Sequence, residues 1–147
     1  QQNSENKQIY EENTEKYIKD LEKVEKQYEE ISQELNGQKA ICLNEALEYL
    51  AKDIKLEYIS LHTDHDENSM SAESIKNIIN KMNTENIKII LIGKDDSIKN
   101  AEILANETNA KIYKLDTVLT GATDKSAYID AANRNLEVLK SVLGDEK

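Results

Sequence analysis

Between Glu5 and Leu35 a series of apolar and aromatic residues falls at Tyr10, Tyr17, Leu21, Val24, Tyr28, Ile31 and Leu35, separated by steps of seven, four, three, four, three and four. Steps of three and four return to one face of a 3.6-residue turn, and no glycine interrupts the run, so the spacing predicts one long amphipathic helix. Asn3 or Ser4 is positioned to cap its start, with acidic residues expected in the first turn. Asn36-Gly37 supplies a stop, because both residues tolerate a left-handed backbone. Residues 1–36 therefore read as a helical unit. About 30 residues at 1.5 Å each span about 45 Å, so the helix must lie along a whole small domain or reach beyond it. The stripe Tyr17, Leu21, Val24, Tyr28 and Ile31 is expected to pack on the remainder of the chain for at least part of its length.

After Gly37 the pattern changes. Short apolar runs, "KAICL", "LEYISL", "IKIILIG" and "AKIYKL", alternate with the amphipathic segments "NEALEYLAKDI", "SAESIKNIINKMN", "DSIKNAEILANET" and "KSAYIDAANRNLEVLKSVL". Strands that are apolar along their length and separated by helices indicate a parallel sheet covered on both faces. The expected fold class is α/β: a long amino-terminal helix followed by a four-stranded parallel doubly wound sheet, the sheet unit occupying residues 37–147. Ligands in such sheets gather beyond the carboxyl ends of the strands, near the point where strand order reverses. Those ends carry Asn44-Glu45, the stretch from His62 to Glu67, the stretch from Gly93 to Asp96, and Leu115-Asp116.

Charge narrows the classes of partner. The 147 residues hold 29 Asp and Glu against 19 Lys and Arg, a formal net charge of −10. Such a balance opposes binding nucleic acid or an anionic membrane surface and favours cations. The single cysteine, Cys42, excludes an intramolecular disulfide, and within "KAICLN" it reads as a small buried residue. The longest apolar run is too short to span a bilayer, and "QQNSENKQ" lacks the pattern of a secretion signal.

Candidate chemistry concentrates at the strand ends. Both histidines of the chain lie in "HTDHDE", where His62-x-x-His65 is a possible metal-ligand spacing among Asp64, Asp66 and Glu67. In so acidic a chain, the expected form of this stretch is a solvated loop. The glycines at 37, 93, 121 and 144 form no phosphate-binding motif. Asp95 and Asp96 precede a helix and read as caps for its amino end. Asp116 and Asp124 flank the loop "DTVLTGATD", where an aspartate at a strand end is a cation-ligand candidate. No serine sits in a nucleophile elbow, and Cys42 lies inside a strand, so nucleophilic catalysis has little support.

The order of elements and several motifs resemble the zinc- and manganese-type (TroA-like) substrate-binding proteins of bacterial ABC importers. The long helix carries Asn3-Ser4-Glu5-Asn6, Tyr10, Asn13, Tyr17 and Leu21, similar to the opening of that family's backbone helix. Asn44-Glu45-Ala46-Leu47-Glu48-Tyr49-Leu50 is similar to the family's H-D-A-F-x-Y-L. Tyr128, Asn135 and Leu139 match its last helix. The resemblance covers the backbone helix and the carboxyl-terminal lobe, and implies a binding protein rather than an enzyme. In that family two lobes close over one divalent metal, with two ligands from each. The third ligand position falls on Asn44 and the fourth on Asp116. An amide is a poor donor for zinc or manganese, so the resemblance implies a partly degenerate site, with Glu45, His62 or His65 as alternative donors and weak metal binding by this chain alone. It further implies metal ion transport, and cell adhesion in some members. The implied partners are a divalent metal ion, an ABC transporter permease and an amino-terminal lobe, and the implied location is the extracellular face of a bacterial membrane, lipid-anchored in the full-length protein. Two other readings of the residues stay open: a small metal-dependent hydrolase of flavodoxin-like topology, and a structural module that pairs through the long helix.

Overall fold

The computed structural model describes residues 6–61, 71–119, 121 and 123–145. The elements follow the order expected from the sequence: α1 (Lys7–Leu35), β1 (Lys39–Cys42), α2 (Ala46–Asp53), β2 (Glu57–Ser60), α3 (Ala72–Thr84), β3 (Ile89–Gly93), α4 (Lys99–Thr108), β4 (Lys111–Leu115) and α5 (Ala127–Asp145). The four strands form one parallel sheet in the order β2-β1-β3-β4. Strand order reverses between β1 and β3, which makes their carboxyl ends the switch point of the sheet.

Alternation along the strands divides the core into two layers, as a two-residue period requires. Ala40, Cys42, Ile89, Leu91, Tyr113 and Leu115 face a layer completed by α1, α2 and α5. Ile41, Ile90 and Ile92 face the other layer, which contains Met82 of α3 and Ala101 and Leu104 of α4. β3 is buried at every position, consistent with its continuous run of isoleucine and leucine.

The long helix divides into two parts. From Lys7 to Lys19 every residue is exposed, whereas Val24, Ile31, Ser32 and Leu35 are buried and join the same core as the sheet. Thus the carboxyl-terminal half of the apolar stripe packs as expected, while Tyr10 and Tyr17 stay at the surface. Gly37 ends the segment with a φ of 81°, the left-handed turn foreseen at Asn36-Gly37. The start differs from expectation. The helix begins at Lys7, its first turn contains no acidic residue, and Asn6 makes no side-chain cap bond. Asn3 and Ser4 lie outside the described residues.

Tyr28 fastens the helix to the far end of the chain. Its ring is half-buried against the core, and its hydroxyl donates to the Ala132 carbonyl of α5 at 3.0 Å. Burial and the neighbouring Tyr128 push the phenol up to about 12, against a hydrogen bond with Asn135 that pulls it down, so the donor keeps its proton well into alkaline conditions. Because the ring is only half-buried, Tyr28→Ala is expected to cost about 2 kcal/mol. Tyr28→Phe, which removes only the hydroxyl bond, should cost about 1 kcal/mol. Urea unfolding measures both, and an unshifted midpoint for the alanine variant would show that the helix is not held here.

Candidate functional site

At the switch point, the end of β1 meets the end of β3. Asn44 follows β1 and is held on both sides of its amide. Its Oδ1 accepts from the Ala46 N–H at 2.9 Å, turning the chain into α2, and its Nδ2 donates to Asp96 Oδ2 at 2.7 Å. The same Asp96 oxygen accepts from the Gly93 N–H at 2.9 Å. Asp96 therefore does not cap α4, as its position before a helix suggested. The residue at that helix's N-cap position is Ile98, which has no side-chain cap bond. The carboxylate instead reaches back to a backbone N–H that the sheet ladder leaves free, and bridges it to Asn44. Glycine is required beneath this bridge. A Cβ at Gly93 would stand 2.6 Å from Asp96 Oδ2 and 3.0 Å from Asn44 Nδ2.

One strand further along lies Asp116, the residue after β4, with only 5% of its surface exposed. Asn135 of α5 clasps its backbone from both directions: Oδ1 accepts from the Asp116 N–H at 2.7 Å, and Nδ2 donates to the Asp116 carbonyl at 2.8 Å. This explains a buried asparagine in the last helix. The side chain is fully engaged too. Oδ1 accepts from the Val118 N–H at 2.9 Å, while Oδ2 receives Lys94 Nζ at 2.8 Å and Arg134 Nη2 at 3.1 Å. Burial by itself would push this carboxyl up. The bonds from Lys94, Val118 and Arg134 outweigh it and hold the group at about 2.

The two strand-end positions implied by the resemblance, Asn44 and Asp116, thus share one edge of the sheet, with Gly93 and Lys94 between them. Glu45 is exposed at the start of α2 and lines a shallow recess with Tyr49 and Tyr58. His62 and His65 lie outside the described residues. Among the described residues no three His, Cys, Asp or Glu side chains group as a metal site. Asp124 accepts from the Ser126 N–H and hydroxyl, both at 2.8 Å, and so shapes the entry into α5. Cys42 is buried, its thiol pushed up by burial to about 11, in keeping with an inert core residue. A groove of about 940 Å³ opens beside Asp116, between α1, α2 and α5, and Tyr28, Tyr49, Val118 and Tyr128 are among its lining residues.

Lys94 and Arg134 were not singled out from the sequence. The signal for Lys94 is the register of the sheet. Gly93 pairs with Leu115 in adjacent parallel strands, so the next residue of each, Lys94 and Asp116, fall side by side.

Two outcomes follow from this geometry. The folded carboxyl of Asp116 lies below its ordinary value of 3.8, so its bonds contribute fully above that pH and are lost as the pH falls from about 3.8 to about 2. Allowing for solvent screening at the half-exposed cations, the contribution is about 1–2 kcal/mol. Chemical denaturation across that range should show a shallower acid slope for Asp116→Asn, and equal slopes would refute the assignment. Gly93→Ala should push Asp96 off its two donors and cost about 1–3 kcal/mol. The loss should shrink in an Asp96→Ala background, where no carboxylate has to move.

Comparison with known proteins places the chain in a family. Residues 1–142 match the family described as ZnuA, zinc-uptake complex component A, periplasmic. The high-affinity zinc uptake system protein ZnuA of Bacillus subtilis is 31% identical over 147 residues, an alignment covering 97% of this chain and 46% of that protein. The metal-dependent lipoprotein YcdH of Bacillus subtilis superimposes with a TM-score of 0.75 at 29% identity, over 95% of this chain and 55% of that one. The laminin-binding protein Lbp of Streptococcus pyogenes shares the fold, with a TM-score of 0.73 at 23% identity over 96% and 56%. The chain spans about half the length of these proteins, and on the match over residues 1–142 it belongs to the ZnuA family of zinc-uptake components.

Proposed function

We propose that this chain is the backbone helix and carboxyl-terminal lobe of an extracellular solute-binding protein that carries zinc or manganese to an ABC importer. The observation that carries the reading is Asp116: a buried carboxylate, fixed through its backbone by Asn135, at the carboxyl edge of a sheet in a chain of this family. A carboxylate at that edge suits a hard or borderline divalent cation. The second donor at the edge, Asn44, is a neutral amide already bonded to Asp96 and Ala46. Half a site with one anionic donor holds a transition metal weakly, since a zinc site ordinarily takes about four. The metal is cargo here, and the remaining donors belong to an amino-terminal lobe across the groove.

The hydrolase reading loses ground on the same geometry. Asp116, Asp96 and Asn44 are all committed to internal partners.

Calorimetry with zinc and with manganese tests the proposal in two steps. The chain alone should bind either metal with a Kd no tighter than about 10 µM, for want of donors. Joining residues 1–147 behind the amino-terminal lobe of the Bacillus subtilis relative should bring the Kd below the micromolar range. A fused protein that folds and does not bind would sink the transport reading, and submicromolar binding by the chain alone would sink the half-site. Asn44→His should tighten the chain alone only modestly, and strengthen the fused protein more.

A further inference from the structure

The carboxylate at the centre of the edge already holds two cations of the protein's own. Lys94 Nζ lies 2.8 Å and Arg134 Nη2 3.1 Å from the same Asp116 oxygen, and the other oxygen is taken by the Val118 N–H. Their side chains are 40% and 61% exposed, against 4% for the carboxylate. Two of the protein's own cations are thus in contact with this one oxygen, although the chain as a whole carries −10. The overall field draws cations towards the protein, and at this oxygen an arriving cation meets an ammonium and a guanidinium of like charge.

Lys94 is not there by chance of a flexible side chain. Its backbone N–H donates to the Leu115 carbonyl at 2.8 Å, which extends the β3–β4 ladder by one step and pins its Cα beside Asp116. On its other side Gly93 is fixed by the Asp96 bridge. Arg134 approaches from α5 and is the more exposed of the two.

We infer that Lys94 is a built-in competitor for the cargo: a divalent cation gains the Asp116 oxygen only by displacing the Lys94 ammonium, so this lysine sets the affinity of the half-site. An ammonium and a metal ion cannot share the same lone pair. Exchange of one for the other leaves the carboxylate compensated throughout, and the half-exposed lysine has water to move into. Removing the ammonium leaves Arg134 as the one side-chain cation on an oxygen that is still buried and still oriented by Asn135 and Val118. The inference rests on the reading of Asp116 as a cargo ligand.

The test is zinc binding by the full chain, measured by competition with a chromophoric chelator, for the wild type, Lys94→Met, Lys94→Arg and the double variant Lys94→Met/Asp116→Asn. Circular dichroism and thermal melting establish that each is folded. Lys94→Met should bind about tenfold tighter or more, since a like charge is removed from the contact point. Lys94→Arg should stay as weak as the wild type, and the double variant should lose the gain. A folded Lys94→Met that binds no tighter overturns the inference, as does a gain that survives Asp116→Asn. Should Lys94→Met not fold, Lys94→Gln keeps a donor without the charge and is judged by the same outcomes. The fused two-lobe protein separates this from the transport reading. Tight zinc binding there that is unchanged by Lys94→Met overturns the competitor and leaves transport standing. Absence of binding in every fused variant, alongside an Asp116-dependent gain in the isolated chain, does the reverse.

Discussion

A carboxylate that is 95% removed from solvent must be compensated, and at Asp116 that requirement organises the β4 end of the sheet's carboxyl edge. Three elements answer it. The β3–α4 connection brings Lys94, α5 brings Arg134 and Asn135, and the turn after β4 brings the Val118 N–H. Each contact also ties two parts of the fold together. Asn135 joins the last helix to the last strand by a pair of bonds to the Asp116 backbone, so the position of the carboxylate and the docking of α5 are one constraint. α5 in turn receives α1 through Tyr28, and the long helix is anchored to the site by this relay.

The neighbouring switch point uses a different solution. There the buried requirement is a backbone N–H at the end of β3, and Asp96 satisfies it while holding Asn44. An acidic residue just before a helix normally serves that helix. Here the nearer unsatisfied donor is at Gly93, and the absence of a side chain on glycine is what gives the carboxylate room to reach it. The two strand-end positions are thus closed by internal partners in distinct ways: an amide bridged to an anion, and an anion bridged to cations.

The long helix shows how composition and packing share the work. Its carboxyl-terminal half contributes Val24, Ile31 and Leu35 to the core, and its amino-terminal half is exposed along its length, with Ile9, Tyr10, Tyr17 and Ile18 on the surface. An amphipathic stripe with only half of its length covered has further apolar area to bury. This chain spans about half the length of the relatives it matches.

Much of the architecture was legible in the residues. Steps of three and four made the long helix readable, short apolar runs separated by amphipathic segments made the parallel sheet readable, and Asn36-Gly37 marked the turn between them. These are local, periodic properties, set by which positions must leave water. The positions of Asn44 and Asp116 at one edge of the sheet could be foreseen, because strand ends are defined once strands are, and both residues do lie there. The state of those side chains could not be foreseen. Lys94 is 22 residues from Asp116 and Asn44 is 52 from Asp96 in the chain. What joins them is strand register and the order β2-β1-β3-β4, and no local period encodes either. The sequence by itself determined that a carboxylate would stand at the end of the last strand; only the tertiary structure decided that the protein's own lysine and arginine would be bound to it, because a buried charge takes its partners from whatever the fold brings within hydrogen-bonding distance.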